Sequence, residues 1–467
     1  MANLAAVSTT PREAPGFWME DAGPTSQRPP LDGSVNVDVA IVGAGFTGLW
    51  TAYHLLRRSP GMRVVVLERE RIGFGASGRN GSWCVPELNA GPALLERHFG
   101  RRGALDLYRA MCDTVDEIGR ICEREGIPAD FEQAGMMLVA RGAAQLPALM
   151  ATQREYEEHG LGDNHRLLQP AEVDGLPRVA NLAGAIYTPA GACLHPGRLV
   201  RGLASAVERL GGVIHEGTPV TSVTEGPGPF VTTPFGQVTA RVAVLAMEAY
   251  LTEFPGWHRA VLPVYSLIDL TEPLSDQQLD RINWRTRVCV ASMRLTVDYL
   301  ALTADRRIVV GGRGAPYRMG SRIVSGTEAH RATHQGLRAM FGSWFPELRE
   351  VRFTHSWGGV LGMPRDWIPQ IRFDRARGIA AAYGYTGHGV ATTSLAGRVL
   401  ADLITETDSE LTRLPIVGHR SKAWEPEPLR WLAVRYTQWA LSRLDARAES
   451  GGRPPSGRTV AERLAAH

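Results

Sequence analysis

The sequence predicts an α/β fold built around one dinucleotide-binding unit, on three observations within residues 37–68. A β-branched run (Val37, Val39, Ile41, Val42) ends in glycines spaced Gly-x-Gly-x-x-Gly, namely Gly43, Gly45 and Gly48. An apolar helical stretch follows. A second apolar run, Val64 to Leu67, then ends in Glu68, twenty residues past the third glycine (68 − 48). In such a unit the first glycine permits a tight turn, the second lets the backbone approach a pyrophosphate, and the third lets helix and strand pack closely. Free amides at the helix start, around Phe46 and Thr47, face the anion. A carboxylate at Glu68 accepts both ribose hydroxyls and repels a 2′-phosphate, so the unit predicts an unphosphorylated adenosine ribose, as in FAD or NAD. Asp38, His54 and the glycines argue against reading this apolar stretch as a membrane span.

Composition bounds the rest. The chain has 467 residues, 44% hydrophobic and 21% charged, enough for two or three domains. A net charge of +3 is too small to imply a nucleic-acid or membrane partner. Of 51 basic residues only Lys422 is lysine, leaving 51 − 1 = 50 arginines, which reads as nucleotide-composition bias. Five scattered cysteines without C-x-x-C fit neither a disulfide framework nor a zinc site, so no metal is expected. The N-terminal residues lack a basic region followed by an apolar core, and the expectation is a cytoplasmic protein.

Residues 1–34 read as an extended arm anchored by Phe17 and Trp18. Directly after Glu68 comes Arg69 and a loop of small residues to 87, carrying Gly73, Gly75, Ala76, Ser77, Gly78, Arg79, Asn80 and Gly81. Glycines at this density let backbone pass close to a flat ligand or its phosphates. The glycine fingerprint, Glu68 and the run Gly75-Ala76-Ser77-Gly78-Arg79-Asn80-Gly81 together resemble the FAD-dependent D-amino-acid oxidase superfamily. The form is closest to its γ-glutamylputrescine and aminophosphonate oxidoreductase-like branch, which usually has a second glycine where this chain has Ser82. The resemblance spans about residues 15–410.

That resemblance implies a Rossmann-like FAD-binding domain of the glutathione-reductase-2 type with an inserted antiparallel-sheet substrate domain. The FAD-binding part would comprise 35–90, 180–255 and 355–410, the substrate part 91–179 and 256–354, and a tail 411–467. It implies noncovalent FAD held by Gly43, Gly45, Phe46, Thr47, Gly48, Glu68, Arg69, Gly75, Ala76, Ser77, Arg79, Asn80 and Gly81. It adds Val220, whose backbone would meet adenine, and Ala246, Gly359, Gly387, His388, Gly389 and Val390. The family's usual Thr-Asn-Ala is here Met247-Glu248-Ala249. Gly387-His388-Gly389 opens a helix to about Ile404, whose N-terminal partial charge would stabilise an anion at the flavin pyrimidine. On the substrate side, Arg313, within Gly311-Gly312-Arg313-Gly314, would hold a carboxylate or phosphonate. Tyr265 and Tyr385 would wall the site, with His388 at the flavin edge.

Periodicity supplies the remaining elements: helices over 92–126, 146–159 and 198–210, strands at 135–140, 185–187, 213–215, 219–223 and 242–246, and a hairpin at 299–311. His195 reads as a helix-start residue. In the tail, Leu432, Tyr436, Trp439 and Leu444 share a helical face expected to dock on the body or a subunit, and 449–467 reads as loosely ordered.

The expected reaction is oxidation of a C–N bond in a small amine or amino acid, with hydride leaving for the flavin and the imine hydrolysing. Related sarcosine oxidases place a lysine by the flavin to assist oxygen. Here Lys422 lies in the tail, so either His388 or an arginine supplies the charge, or oxygen is not the acceptor. Two other readings stand beside this one: a flavin monooxygenase, which would need a second nucleotide fingerprint that the sequence lacks, and a flavin-retaining assembly protein using the Trp-rich tail.

Overall fold

The computed structural model describes residues 16–173, 175–313, 317–451, 454–455, 457 and 459–465. Residues 1–15 of the arm expected over 1–34 lie outside these, as do Gly314 and parts of 449–467.

Two sheets carry the molecule. The first has six strands in the order 370–374, 379–383, 242–245, 39–42, 64–67 and 213–215. All neighbours are parallel except the edge pair 370–374 and 379–383. The strands Val39–Val42, Val64–Leu67 and Val242–Leu245 are buried at every position, which is why they read as continuous apolar runs rather than alternating ones. Each such side chain stabilises the fold by about 1.5–3 kcal/mol. Helices Phe46–Arg58 and Gly389–Ile404 cross on this sheet at Gly397, where a Cβ would meet Trp50 Cβ at 2.6 Å and Thr51 N at 2.8 Å. Only glycine lets them approach so closely.

The second sheet has eight strands in the order 353–363, 262–271, 308–313, 298–302, 289–292, 136–141, 182–188 and 166–168. It is antiparallel except at its middle, where Cys289–Ser292 pairs parallel with Met136–Arg141. Two chain segments far apart in sequence are joined there, and a parallel pair needs such a long connection. The helix Pro92–Glu125 buries Leu107, Met111, Val115, Ile118 and Ile121 in the same core as the nucleotide sheet. The segment expected to open the substrate part therefore starts on the nucleotide part.

Smaller expectations shift. The strand expected over 219–223 is confined to Ser222–Thr224. His195 caps the helix Pro196–Arg209, its Nδ1 accepting from Arg198 N at 3.1 Å, while Nε2 meets Asp21 at 3.1 Å.

The tail helix Leu429–Gly451 does dock on the body, but with a different face from the one expected. Leu432, Tyr436 and Trp439 are exposed at 53%, 43% and 58%. The docked stripe is Arg430, Trp431, Val434, Asp445 and Ala448. Polar anchors decide this. Arg430 Nη1 donates to His258 O at 3.4 Å and the guanidinium pairs with Glu427, which accepts from Tyr317 Oη at 2.7 Å, and the Asp445 carboxylate accepts from Leu295 N at 3.0 Å and Thr296 N at 2.8 Å. No helix among the described residues is long and apolar enough to cross a membrane.

Candidate active site

The strand Val39–Val42 ends at Gly43, whose φ is +105° and whose added Cβ would meet Ala246 O at 2.7 Å. A Cβ on Gly48 would meet Gly43 O at 2.0 Å. Both positions therefore exclude any side chain. The turn's amides are less free than its sequence implies. Ala44 N donates to Glu68 Oε2 at 2.8 Å and Phe46 N donates to Ser77 Oγ at 2.8 Å. The other Glu68 oxygen accepts from Glu70 N at 2.9 Å. Burial pushes the Glu68 carboxyl up, and these two amides oppose the shift. The glycine turn, the acid and the small-residue loop are thus one hydrogen-bonded unit.

This unit forms one end of a cavity of about 610 Å³ that runs from Gly43 and Glu68 to Tyr299 and Arg313. Of the residues expected at the cofactor, Gly43, Gly45, Phe46, Thr47, Glu68, Arg69, Gly75, Ala76, Ser77, Arg79, Asn80, Gly81, Val220, Ala246, Gly359, Gly387, His388, Gly389 and Val390 all line it. Gly48 does not, since its place is helix packing. Two of the lining groups also hold the loop together. Arg79 Nε donates to Phe74 O at 2.8 Å and its Nη1 to Gly358 O at 3.3 Å. Asn80 Nδ2 donates to Ser77 O at 2.8 Å.

Of the substrate-side candidates, Arg313, Tyr385 and His388 line the cavity. Tyr385 Oη is 2.9 Å from Thr47 Oγ1, tying the two helix starts together. His388 Nδ1 donates to Glu87 O at 2.5 Å. Burial, ahead of that opposing bond, lowers the imidazole below its usual range, so His388 is neutral near pH 7. Arg313 Nη2 donates to Thr386 O at 2.9 Å and to Asn89 Oδ1 at 3.3 Å. Burial pulls Arg313 down to about 10, still charged at neutral pH, with Tyr299 opposing the shift.

Tyr265 is displaced from its expected place. It lies outside this cavity, in a small adjoining one beside Ile323 and Val324, with its hydroxyl 3.3 Å from Val324 N. Strand alternation is the cause: on Leu262–Thr271 it is Ser266 that faces the main cavity, so Tyr265 points to the other face. Ser266 Oγ is 3.0 Å from the hydroxyl of Tyr299, which the sequence reading missed. Burial pushes the Tyr299 phenol up to about 12. A Cβ on Gly311 or Gly81 would strike its ring at 2.0 and 2.2 Å. A glycine inside a strand was the available signal of such a close approach. Glu248 was also missed. Held at φ +50°, it accepts from Gly362 N at 2.8 Å and Gly384 N at 2.6 Å, and burial lifts its carboxyl to about 7.

The sequence matches the family model described as FAD dependent oxidoreductase over residues 38–403. The chain belongs to that family. This oxidoreductase is 33% identical over 380 residues to gamma-glutamylputrescine oxidoreductase of Escherichia coli (strain K12), spanning 80% of this chain and 85% of that protein. It is 31% identical over 410 residues to the probable oxidoreductase OrdL of Haemophilus influenzae, spanning 85% and 89%. Its fold matches the crystal structure of glycine oxidase from Geobacillus kaustophilus with a TM-score of 0.67 at 21% identity, covering 83% of this chain and all of that one. The α/β fold with its nucleotide unit and FAD as cofactor are thereby established for this oxidoreductase. The donor set fits FAD: a buried carboxylate hydrogen-bonded to the fingerprint turn, a turn that a Cβ would fill, and a cavity continuing to a second helix N-terminus at Gly389.

Proposed function

We propose that the chain oxidises the C–N bond of an amine or amino acid. FAD, when bound, supplies the acceptor for the hydride leaving the carbon next to nitrogen. The similarity to gamma-glutamylputrescine oxidoreductase supports an amine donor. The observation that carries the reading is the single cavity joining the Glu68 fingerprint to Arg313 and Tyr299.

In this reading Glu68 takes the ribose hydroxyls, Gly45 and Thr47 face the pyrophosphate, and the Gly389–Ile404 helix presents its positive end to the flavin pyrimidine. Val220, Ala246, Gly359 and the Gly75–Gly81 loop close around the rest. FAD is held noncovalently. Among the described residues no cysteine lines the cavity, and its lining His388 is engaged with Glu87 O. Arg313 orients a substrate carboxylate or phosphonate, and Tyr299, held by Ser266, packs beside it. The substrate nitrogen binds neutral, so no strong base is needed. Product leaves as an imine, which water converts to an aldehyde or keto acid plus amine.

Of the arginines lining the cavity, we assign the cation assisting a terminal acceptor to Arg313, whose Nη2 lies beside Gly387 at the second helix start; His388 is neutral and Lys422 sits in the tail. That favours oxygen as acceptor. The free thiols of all five cysteines support a reducing, cytoplasmic setting. Anaerobic absorbance spectra test the function: addition of primary and secondary amines, amino acids and aminophosphonates should bleach the flavin with one class. Air should then restore the colour quickly. Slow return means a different acceptor, and bleaching only by a reduced nicotinamide would replace this reading with a monooxygenase.

A further inference from the structure

We propose that Glu87, with His165, Tyr108 and Tyr156, forms a second subsite that holds a distal ammonium, so the substrate is an amine carrying a second cationic amine. This rests on the amine-oxidation reading and names its substrate class.

Glu87 lines the main cavity, and its side chain is only 11% exposed. Both carboxylate oxygens are buried without a hydrogen-bond partner among the described residues. Its nearest cation-forming neighbour is His165, Nε2 at 3.6 Å from Oε1, beyond hydrogen-bond length. The His165 ring is oriented by its other nitrogen, Nδ1, which donates to Leu161 O at 2.9 Å. Its Nε2 is likewise buried without a hydrogen-bond partner among the described residues. No hydrogen bond from the described residues therefore reaches the Glu87 carboxylate, although it borders the cavity. Leaving a buried carboxylate in that state is costly.

The walls fit a cation. Tyr156 stacks on His165 with ring centroids 3.7 Å apart and also lines the cavity. The Tyr108 ring lies 5.7 Å from His165. Burial first, and the Glu87 charge after it, push both phenols up, so neither ionises to compete with the carboxylate. An ammonium carries three N–H donors, enough for both Glu87 oxygens, and aromatic rings favour it. The subsite is also tied to the reacting end, because the carbonyl of Glu87 itself takes the Nδ1–H of His388. One amine then lies neutral at the flavin while the other stays charged at Glu87.

The test uses the FAD-loaded enzyme, anaerobic titration calorimetry and flavin bleaching, with 1,4-diaminobutane and 1-aminobutane as probes and 1,3-, 1,5- and 1,6-diamines to match the span. The best diamine should bind about tenfold or more tighter than the monoamine of equal length. In Glu87→Gln that ratio should fall to near one. His165→Gln, which sets an amide donor against the carboxylate, should also lower it, and keeps the proposal falsifiable if the Glu87 variant fails to fold. A wild-type ratio near one for every length, or a ratio unchanged in the variants, overturns the subsite. A Glu87-dependent diamine preference without any bleaching sinks the oxidation reading and leaves the subsite standing.

Discussion

At one end of the cavity the Glu68 carboxylate receives amides from Ala44 and Glu70; at the other the Glu87 carboxylate receives no hydrogen bond from the described residues. The two ends are built on different principles. At the nucleotide end, polar atoms are mostly backbone, fixed by turns and satisfied internally, so the end is preformed for one invariant ligand. At the substrate end they are side chains from separate segments, partly unsatisfied, and they need a ligand to complete them. A cofactor shared by a family suits the first design and a variable substrate suits the second.

Gly48→Ala breaks the preformed end and has the largest expected effect. The new Cβ has no room against Gly43 O, and destabilisation should exceed ~3 kcal/mol with loss of bound flavin, read from denaturant unfolding and the visible spectrum. Arg313→Met tests the ligand-completed end. Loss of a charged anchor should cost about 100-fold in kcat/KM for carboxylate-bearing amines, with little change in the melting temperature.

Glu248 tests the junction of the two sheets, because it accepts amides from Gly362 on one and Gly384 beside the other. Its carboxyl rises from the usual 4.5 to about 7 on folding. The folded state therefore holds a proton that the unfolded chain releases. This contribution is complete below pH 4.5 and is lost as pH rises through about 7, at most ~3 kcal/mol. Melting of flavin-free protein across that window should show the decline, and Glu248→Gln should flatten it. The smallest effects separate two tyrosines. Tyr299→Phe loses the Ser266 bond and should cost about fivefold in kcat/KM, whereas Tyr265→Phe, outside the cavity, should change it less than about twofold.

The same contrast explains what was legible in the sequence. The fingerprint, Glu68 and the Gly75–Gly81 loop lie within forty or so residues of one another, and each answers a local steric demand that spacing records. His165, just before strand 166–168, and Tyr299 and Arg313, on strands 298–302 and 308–313, belong to two halves of one sheet that the parallel pair of 136–141 with 289–292 joins. No local pattern encodes that meeting. Tyr265 was misplaced for a related reason: alternation shows that neighbouring residues face opposite ways, but not which face meets the cavity. The docking face of the tail helix was misjudged because apolar count was weighed above the buried polar anchors Arg430 and Asp445.

Asp445 fastens the backbone of Leu295 and Thr296, and the residues on either side, Met293 and Val297, belong to the cavity lining. The family match ends at residue 403, well before this anchor. A segment beyond the residues matched by the family model thus holds backbone that adjoins the cavity wall. Removing this helix takes away the carboxylate that holds that stretch of the cavity wall in place.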